Sequence, residues 1–221
     1  MNILITGATG NIGREICAHF GKNHNIFGQY CTNSNIAEEI KNSLKEYKTN
    51  IIFFQQNFLM KNNLFQEIKD NSKIDILINC FSTYKENQFS SFKIEDLKDD
   101  IYLNSIIPLQ LTKLFYNHNP QGKVINFLDS RALSHDPNHW TYSISKRLFA
   151  DFTKECALNL APMQINGIAL GLTWLDPHSA ENLPLKTKVS SNEIIQTIEY
   201  LIKSNITGEI IHLDSGRHIR K

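Results

Sequence analysis

The chain has 221 residues, with 23 lysines and arginines against 22 aspartates and glutamates. That length suits one domain with a sizeable buried core and is short for two. The near balance of charge excludes an electrostatic grip on nucleic acid or on an anionic membrane surface.

The four cysteines, Cys17, Cys31, Cys80 and Cys156, are scattered and form no C-x-x-C pair. Neither a zinc knuckle nor a redox dithiol is indicated, and a reducing compartment is expected. The opening MNILITGATG lacks the basic and long apolar regions of an export signal. No apolar run approaches the ~20 residues of a membrane span. The expectation is a soluble, cytoplasmic protein.

In chain order, Met1–Thr6 reads as a strand and Asn11–Gly21 as a helix. Asn25–Tyr30 is a strand, Ser34–Tyr47 a helix, Asn50–Gln56 a strand, Lys61–Asn71 a helix and Lys73–Asn79 a strand. Ile94–Tyr116 carries one long apolar periodicity, a helix with Pro108 as a kink. Gly122–Leu128 is a strand, and Trp140–Ala161 a helix stopped by Pro162. Met163–Ala169 is a strand, Asn192–Lys203 a helix and Glu209–Leu213 a last strand, with a loop over Pro177–Lys188. Strand and helix alternating in this way predict a single α/β domain over 1–221. Its sheet is doubly wound and mostly parallel, of about seven strands, with helices on both faces. Runs such as IDILIN and KVINFL are almost continuously apolar, as strands buried on both sides require.

The segment TGATGNIG, Thr6 to Gly13, follows the first strand and opens the first helix, where a dinucleotide fingerprint belongs. Gly7 permits a tight turn, Gly10 lets the backbone approach a pyrophosphate, and Gly13 lets helix pack on sheet. A phosphate there meets the positive helix N-terminus. At the end of the second strand GQYCTNSN holds no acid to grip a ribose 2′-hydroxyl. Thr32, Asn33 and Ser34 can instead donate hydrogen bonds to a 2′-phosphate, so NADP(H) is favoured over NAD(H).

Tyr142 and Lys146 stand four apart on a predicted helix and share a face. An ammonium beside a phenol favours the phenolate, and a phenol tuned in this way can protonate a carbonyl oxygen or imine nitrogen.

Together these segments resemble the short-chain dehydrogenases/reductases over nearly the whole chain. LINC, ending at Asn79 and Cys80, is similar to the family's turn after the fourth strand. Asn104 in DIYLNSIIP matches its helix asparagine, and YSISK its tyrosine and lysine. INGIALG resembles V-N-x-I-x-P-G, with Leu170 for proline, and TGEIIHLDSG resembles the terminal T-G-x-x-x-x-x-D-G-G. The resemblance implies a single-domain Rossmann fold. It gives Tyr142 as proton donor, Lys146 as holder of the nicotinamide ribose, and Asn104 as the organiser of a water relay. It places the cofactor against Thr9, Asn11 and Ile12 beside the glycines. The same cofactor would meet Asn57 and Phe58 after the third strand, then Asn79, Cys80 and Phe81, and finally Gly171.

Thirteen residues before the tyrosine, where most of the family has serine, stands Asp129. A carboxylate holds a carbonyl oxygen badly but accepts well from N–H donors such as a 2-aminopyrimidine. The substitution resembles the pteridine reductases and dihydromonapterin reductases. So does STY, Ser82 to Tyr84, whose aromatic ring would stack on a pterin, and so does the terminal LDSGRHIR. Departures are Asn11 in place of a basic residue, Phe81 in place of alanine and Cys31 in place of arginine. A second register stays open, with Ser130 facing the substrate and Asp129 capping a turn.

His135 and His139 flank Pro137 and lack metal-site partners, so no metal is expected. Trp174, after the sixth strand, is read as a substrate-pocket wall, Trp140 as wall or core, and Phe115 and Phe149 as core. The expected activity is NADPH-dependent reduction of a dihydropterin-like heterocycle, a small-molecule substrate. The alternatives are a ketone or 3-oxoacyl reductase using Ser130, and a non-catalytic NADP(H) sensor. The resemblance further implies a homo-oligomer, dimer or tetramer, built through the two long helices.

Overall fold

Runs such as NILIT, IIFFQ, ILIN and KVINFLD are rich in branched and aromatic side chains that pack well on a pleated surface. In a computed structural model they form one seven-stranded sheet, parallel throughout, in the order β3-β2-β1-β4-β5-β6-β7. The strands are β1 (Asn2–Thr6), β2 (Asn25–Tyr30), β3 (Ile51–Gln55), β4 (Ile76–Asn79), β5 (Lys123–Asp129), β6 (Gln164–Leu170) and β7 (Ile210–Leu213). The structure describes residues 1–59, 73–130, 136–176 and 178–219. The helix expected over Lys61–Asn71 lies outside them.

The helices are α1 (Asn11–Phe20), α2 (Ser34–Ser43), α3 (Ile94–Ile101), α4 (Ile107–His118), α5 (Trp140–Asn159) and α6 (Ser191–Lys203). A short 3₁₀ turn, Arg217–Ile219, follows β7. Among the described residues no helix is long and apolar enough to cross a membrane. All four cysteines are free.

Alternate strand residues pack on opposite faces of the sheet. Ile3, Ile5, Ile76, Ile78 and Ile125 face one side, packed with Ile16 and Cys17 of α1 and Ile194 and Ile198 of α6. Leu4, Leu77 and Val124 face the other, against Leu103, Ile107, Leu111 and Phe115. The two-residue period of a strand thus divides one apolar run between two layers. Phe115 and Phe149 are core, as expected.

The single helix expected over Ile94–Tyr116 is divided. Between α3 and α4 lies a π turn, Tyr102–Ile106, in which the Ile107 N–H reaches back five residues to the Tyr102 carbonyl. Pro108 sits in the first turn of α4. It has no N–H to offer the Asn104 carbonyl, and its ring would press on that carbonyl in a straight helix. A wider turn just before it relieves both problems. The helix expected to reach Tyr47 stops at Ser43, whose hydroxyl turns back to the Ile40 carbonyl at 2.8 Å. The helix expected to reach Ala161 stops at Asn159, because Pro162 disfavours helical backbone just before it. Strands β4 and β7 open at Ile76 and Ile210 rather than Lys73 and Glu209. The loop expected over Pro177–Lys188 is irregular across 178–188, anchored where Lys188 Nζ donates to the Asp176 carbonyl at 2.5 Å.

The chain winds outward from β1 to β3, then returns to place β4 on the other side of β1. That reversal opens a crevice at the C-terminal ends of β1 and β4, the place where open α/β sheets bind ligands.

Candidate active site

The glycine turn fills one wall of this crevice. Gly7 has φ +64°, and a Cβ on it would lie 2.9 Å from the Phe81 Cα. Only glycine combines that conformation with that approach. Gly10 caps α1, and a Cβ on Gly13 would collide with the Gly7 carbonyl oxygen. The turn is clamped from behind by Gln29, which is fully buried on β2. Its Oε1 accepts the Gly7 N–H at 2.8 Å, and its Nε2 donates to the Gln56 carbonyl at 2.7 Å. Thr6 ties the turn to the end of β4. Its Oγ1 accepts the N–H groups of Cys80 and Phe81, each at 3.1 Å.

A cleft of about 580 Å³ runs over the turn. Of the residues expected to meet a cofactor, Gly7, Thr9, Gly10, Asn11, Ile12, Gly13, Thr32, Asn33, Cys80 and Phe81 line it. The expected substrate residues Ser82 and Tyr84 line it too. Among the described residues no lysine or arginine does, and α2 begins beside it with no acid in its first turn. Small backbones, donor groups and the α1 N-terminus therefore suit a dinucleotide phosphate, and a glycine floor leaves room where side chains would intrude.

At the end of β5 the Asp129 carboxylate accepts a hydrogen bond from the Tyr142 hydroxyl at 3.0 Å. Tyr142 is 6% exposed and Lys146 is 3% exposed, both on α5. Lys146 Nζ donates to the Phe127 carbonyl at 3.0 Å and lies 5.9 Å from the centre of the Tyr142 ring. Burial pulls the Lys146 ammonium down to about 8, while the charges of Asp129 and Cys80 oppose the fall. The Cys80 thiol is pushed up to about 12 by its own burial, with Lys146 acting against the rise. The ring of Tyr84 meets Tyr142 edge-on at 4.9 Å and stacks on His139 at 4.3 Å. Asn104, in the π turn, reads the backbone of Thr83 from both sides. Its Oδ1 accepts the N–H at 2.8 Å and its Nδ2 donates to the carbonyl at 3.2 Å.

Other expected site residues are placed differently. Ser130 is 1% exposed and its hydroxyl has no hydrogen-bond partner among the described residues, while the neighbouring Asp129 meets Tyr142. Trp174 does not line the cleft but packs against the core on the α1 side. The change of chain direction puts its neighbours Thr173, Leu175 and Asp176 there instead, braced where Asp176 Oδ2 accepts the Thr173 N–H at 2.6 Å. Gly171 serves packing, since a Cβ there would lie 2.6 Å from the Asp214 Cα. Asn79 points inward, donating to Asn126 at 2.9 Å, which in turn donates to Thr153 at 3.0 Å. Asn57 caps its own turn through the Leu59 N–H at 3.0 Å, and Phe58 is buried against Phe81. Ser34 lies just outside the lining. Trp140 packs with Phe89 and Phe92.

Sequence reasoning missed Thr6, Gln29 and Asp176. Gln29 carried a usable signal, a lone amide inside an apolar strand. His135 falls outside the described residues. His212, Asp214 and His218 bring potential metal-ligating atoms within 4.8 Å of one another. Asp214, however, already accepts from His218 Nδ1 at 2.9 Å and from two backbone N–H groups. The two imidazoles also stack at 4.1 Å and 24°, so their in-plane lone pairs do not converge on one point.

Residues 1–183 match the short chain dehydrogenase family. The chain belongs to that family. It is an oxidoreductase. The 3-oxoacyl-[acyl-carrier-protein] reductase of Buchnera aphidicola subsp. Baizongia pistaciae is 26% identical, covering 98% of this chain and 96% of that protein. A dihydromonapterin reductase of Escherichia coli O6:K15:H31 is 31% identical over 121 residues, 50% of each protein. The FolM alternative dihydrofolate reductase 1 of Brucella canis, solved in complex with NADP, superposes with a TM-score of 0.93 at 24% identity. That match covers 100% of this chain and 95% of the other, and shows that the fold is shared.

Proposed function

We propose that this oxidoreductase is an NADP(H)-dependent reductase of a flat nitrogen heterocycle of the dihydropterin class. The observation that carries this reading is the 3.0 Å hydrogen bond from Tyr142 to Asp129. An ionised carboxylate only accepts hydrogen bonds. Opposite a ketone oxygen it would face a like-signed partial charge, whereas the N–H edge of a 2-aminopyrimidine complements it. Tyr84 supplies an aromatic wall next to the Tyr142 ring. In this reading Tyr142 delivers a proton to the ring nitrogen, directly or through a water held by Asp129. Lys146 keeps positive charge beside the phenol as that proton leaves. Asn104 holds the Thr83 backbone and organises the relay that restores the proton. A bound nicotinamide supplies the hydride. Thr32, Asn33 and Ser34 at the start of α2, with no acid nearby at the end of β2, favour NADP(H) over NAD(H). We further propose that residues 1–221 act as one domain on a small-molecule substrate, within a homo-oligomer.

The test is NADPH oxidation with a panel of dihydropterins and 3-oxo compounds. Asp129→Asn is expected to lower kcat/KM on a dihydropterin by about 100-fold, and Ser130→Ala by less than about threefold. Good NADPH affinity with failure on every pterin would defeat the proposal. The second reading, a 3-oxoacyl or ketone reductase, is favoured by the similarity to the Buchnera protein along nearly its whole length. Under it, Ser130→Ala abolishes turnover and Asp129→Asn spares it. Turnover abolished by Tyr142→Phe would exclude a non-catalytic cofactor sensor.

A further inference from the structure

Asp100 holds a buried carboxylate that the chemistry above does not use. It is 0% exposed, in the last turn of α3. None of the ion pairs among the described residues includes it. Its partners are two hydroxyls. Thr83 Oγ1 donates to Oδ1 at 3.1 Å, and Thr141 Oγ1 donates to Oδ2 at 2.6 Å. A carboxylate buried against neutral donors is a costly way to fasten a scaffold, because desolvation is repaid only in part. What a carboxylate adds over an amide is direction: it accepts only, so both hydroxyl protons must point at it.

That direction passes outward. With its proton committed, Thr141 Oγ1 accepts from Asn87 Nδ2 at 2.5 Å, and Asn87 Oδ1 accepts the Thr141 N–H at 3.1 Å. On the other side Thr83 is bonded to Asn104 through its N–H and carbonyl. Both ends of the 83–87 segment are thereby fixed, one to the π turn and one to the start of α5. Tyr84 lies between them, in contact with Tyr142, the residue after Thr141.

We propose that Asp100 is a positioning residue that sets the spacing between Tyr84 and Tyr142, and so the width of the slot that admits a flat substrate. The inference rests on the reading of Tyr84 as substrate wall and Tyr142 as proton donor. It predicts that substrate fit depends on Asp100 while cofactor affinity, set by the glycine turn, does not.

The experiment compares wild type, Asp100→Asn, Thr83→Val and the double variant as full-length protein. Asp100→Asn is expected to raise the dihydropterin KM about tenfold, with kcat within about threefold and NADPH Kd within about twofold. Thr83→Val reproduces the shift, and the double variant adds little to either single change because both break one linkage. Parallel loss of kcat, substrate affinity and NADPH affinity would mean a general scaffold role and overturn the proposal, as would unchanged KM. If Asp100→Asn does not fold, Thr83→Val carries the test: it removes the Thr83 hydroxyl's bond to Asp100 and its longer 3.3 Å contact with Asn104 Oδ1, and leaves the Thr83 backbone bonds to Asn104 and the Asp100–Thr141 contact in place. If wild type turns over no substrate, the functional reading fails and positioning is read by hydrogen exchange. Faster exchange at Thr83 and Asn87 in Asp100→Asn, with the glycine turn unchanged, then supports the proposal, and equal exchange overturns it.

Discussion

Burial strips water from the Lys146 ammonium and lowers its pKa from an ordinary 10.5 to about 8. Below about 8 the lysine is protonated folded and unfolded alike, and the folded state bears the full desolvation cost. Between about 8 and 10.5 the unfolded chain keeps a proton that the native protein has released, so the lysine's contribution to stability rises with pH. Cys80 has the opposite sign. Its native pKa of about 12 lies above the ordinary 9.0, so its contribution is lost as pH climbs between them. Urea melts of wild type minus Lys146→Met should therefore show a difference that grows in favour of wild type from about pH 7.5 to 9.5. A flat difference would contradict this account. The lysine and its tyrosine were legible in the sequence because four-residue spacing on a helix fixes a shared face. Asp129 was legible because it stands at a fixed distance from that pair. Asp100 was not, because its partners Thr83 and Thr141 lie 17 and 41 residues away and no local pattern announces such contacts.

Helix α1 reaches the sheet so closely that residue 13 must lack a side chain. A Cβ on Gly13 would strike the Gly7 carbonyl and lie 2.9 Å from the Ala8 Cα, both backbone that cannot swing aside. Gly13→Ala should cost about 1–3 kcal/mol in urea unfolding, as overpacking does, and should weaken dinucleotide binding by displacing the helix N-terminus. Unchanged stability would show that the helix can lift away freely. The glycine motif was readable because its spacing encodes this contact. The π turn was not, because an extra residue in one helical turn leaves the apolar pattern on either side looking continuous. Pro108 signalled only that something must give, and the structure places the adjustment at Tyr102–Ile106. Trp174 was misplaced for a related reason: a loop's position at the sheet edge is readable, but which of its side chains turns inward depends on how the chain leaves β6.

Alternating strand and helix was enough to foresee a parallel sheet, since parallel neighbours need long crossovers. The spatial order of the strands was not legible, because the reversal between β3 and β4 leaves no mark in local composition. That reversal creates the cleft, and it makes cofactor choice measurable on the intact protein. At equal ligand concentration, a tenfold preference for NADP⁺ over NAD⁺ corresponds to about 1.4 kcal/mol of added stability. For a protein of this length that is about 3–6 °C in Tm. A thermal shift larger with NAD⁺ would reverse the assignment made from Thr32 and Asn33.

Because every strand runs the same way, the cleft residues collect at one rim of the sheet and the connections entering β2, β3, β5, β6 and β7 emerge at the other. The exposed turn at 45–48, between α2 and β3, belongs to that far rim. A fluorescent tag or surface tether grafted into it leaves the ligand entrance unobstructed, which suits immobilised assays of an oxidoreductase whose partner molecules must diffuse in and out.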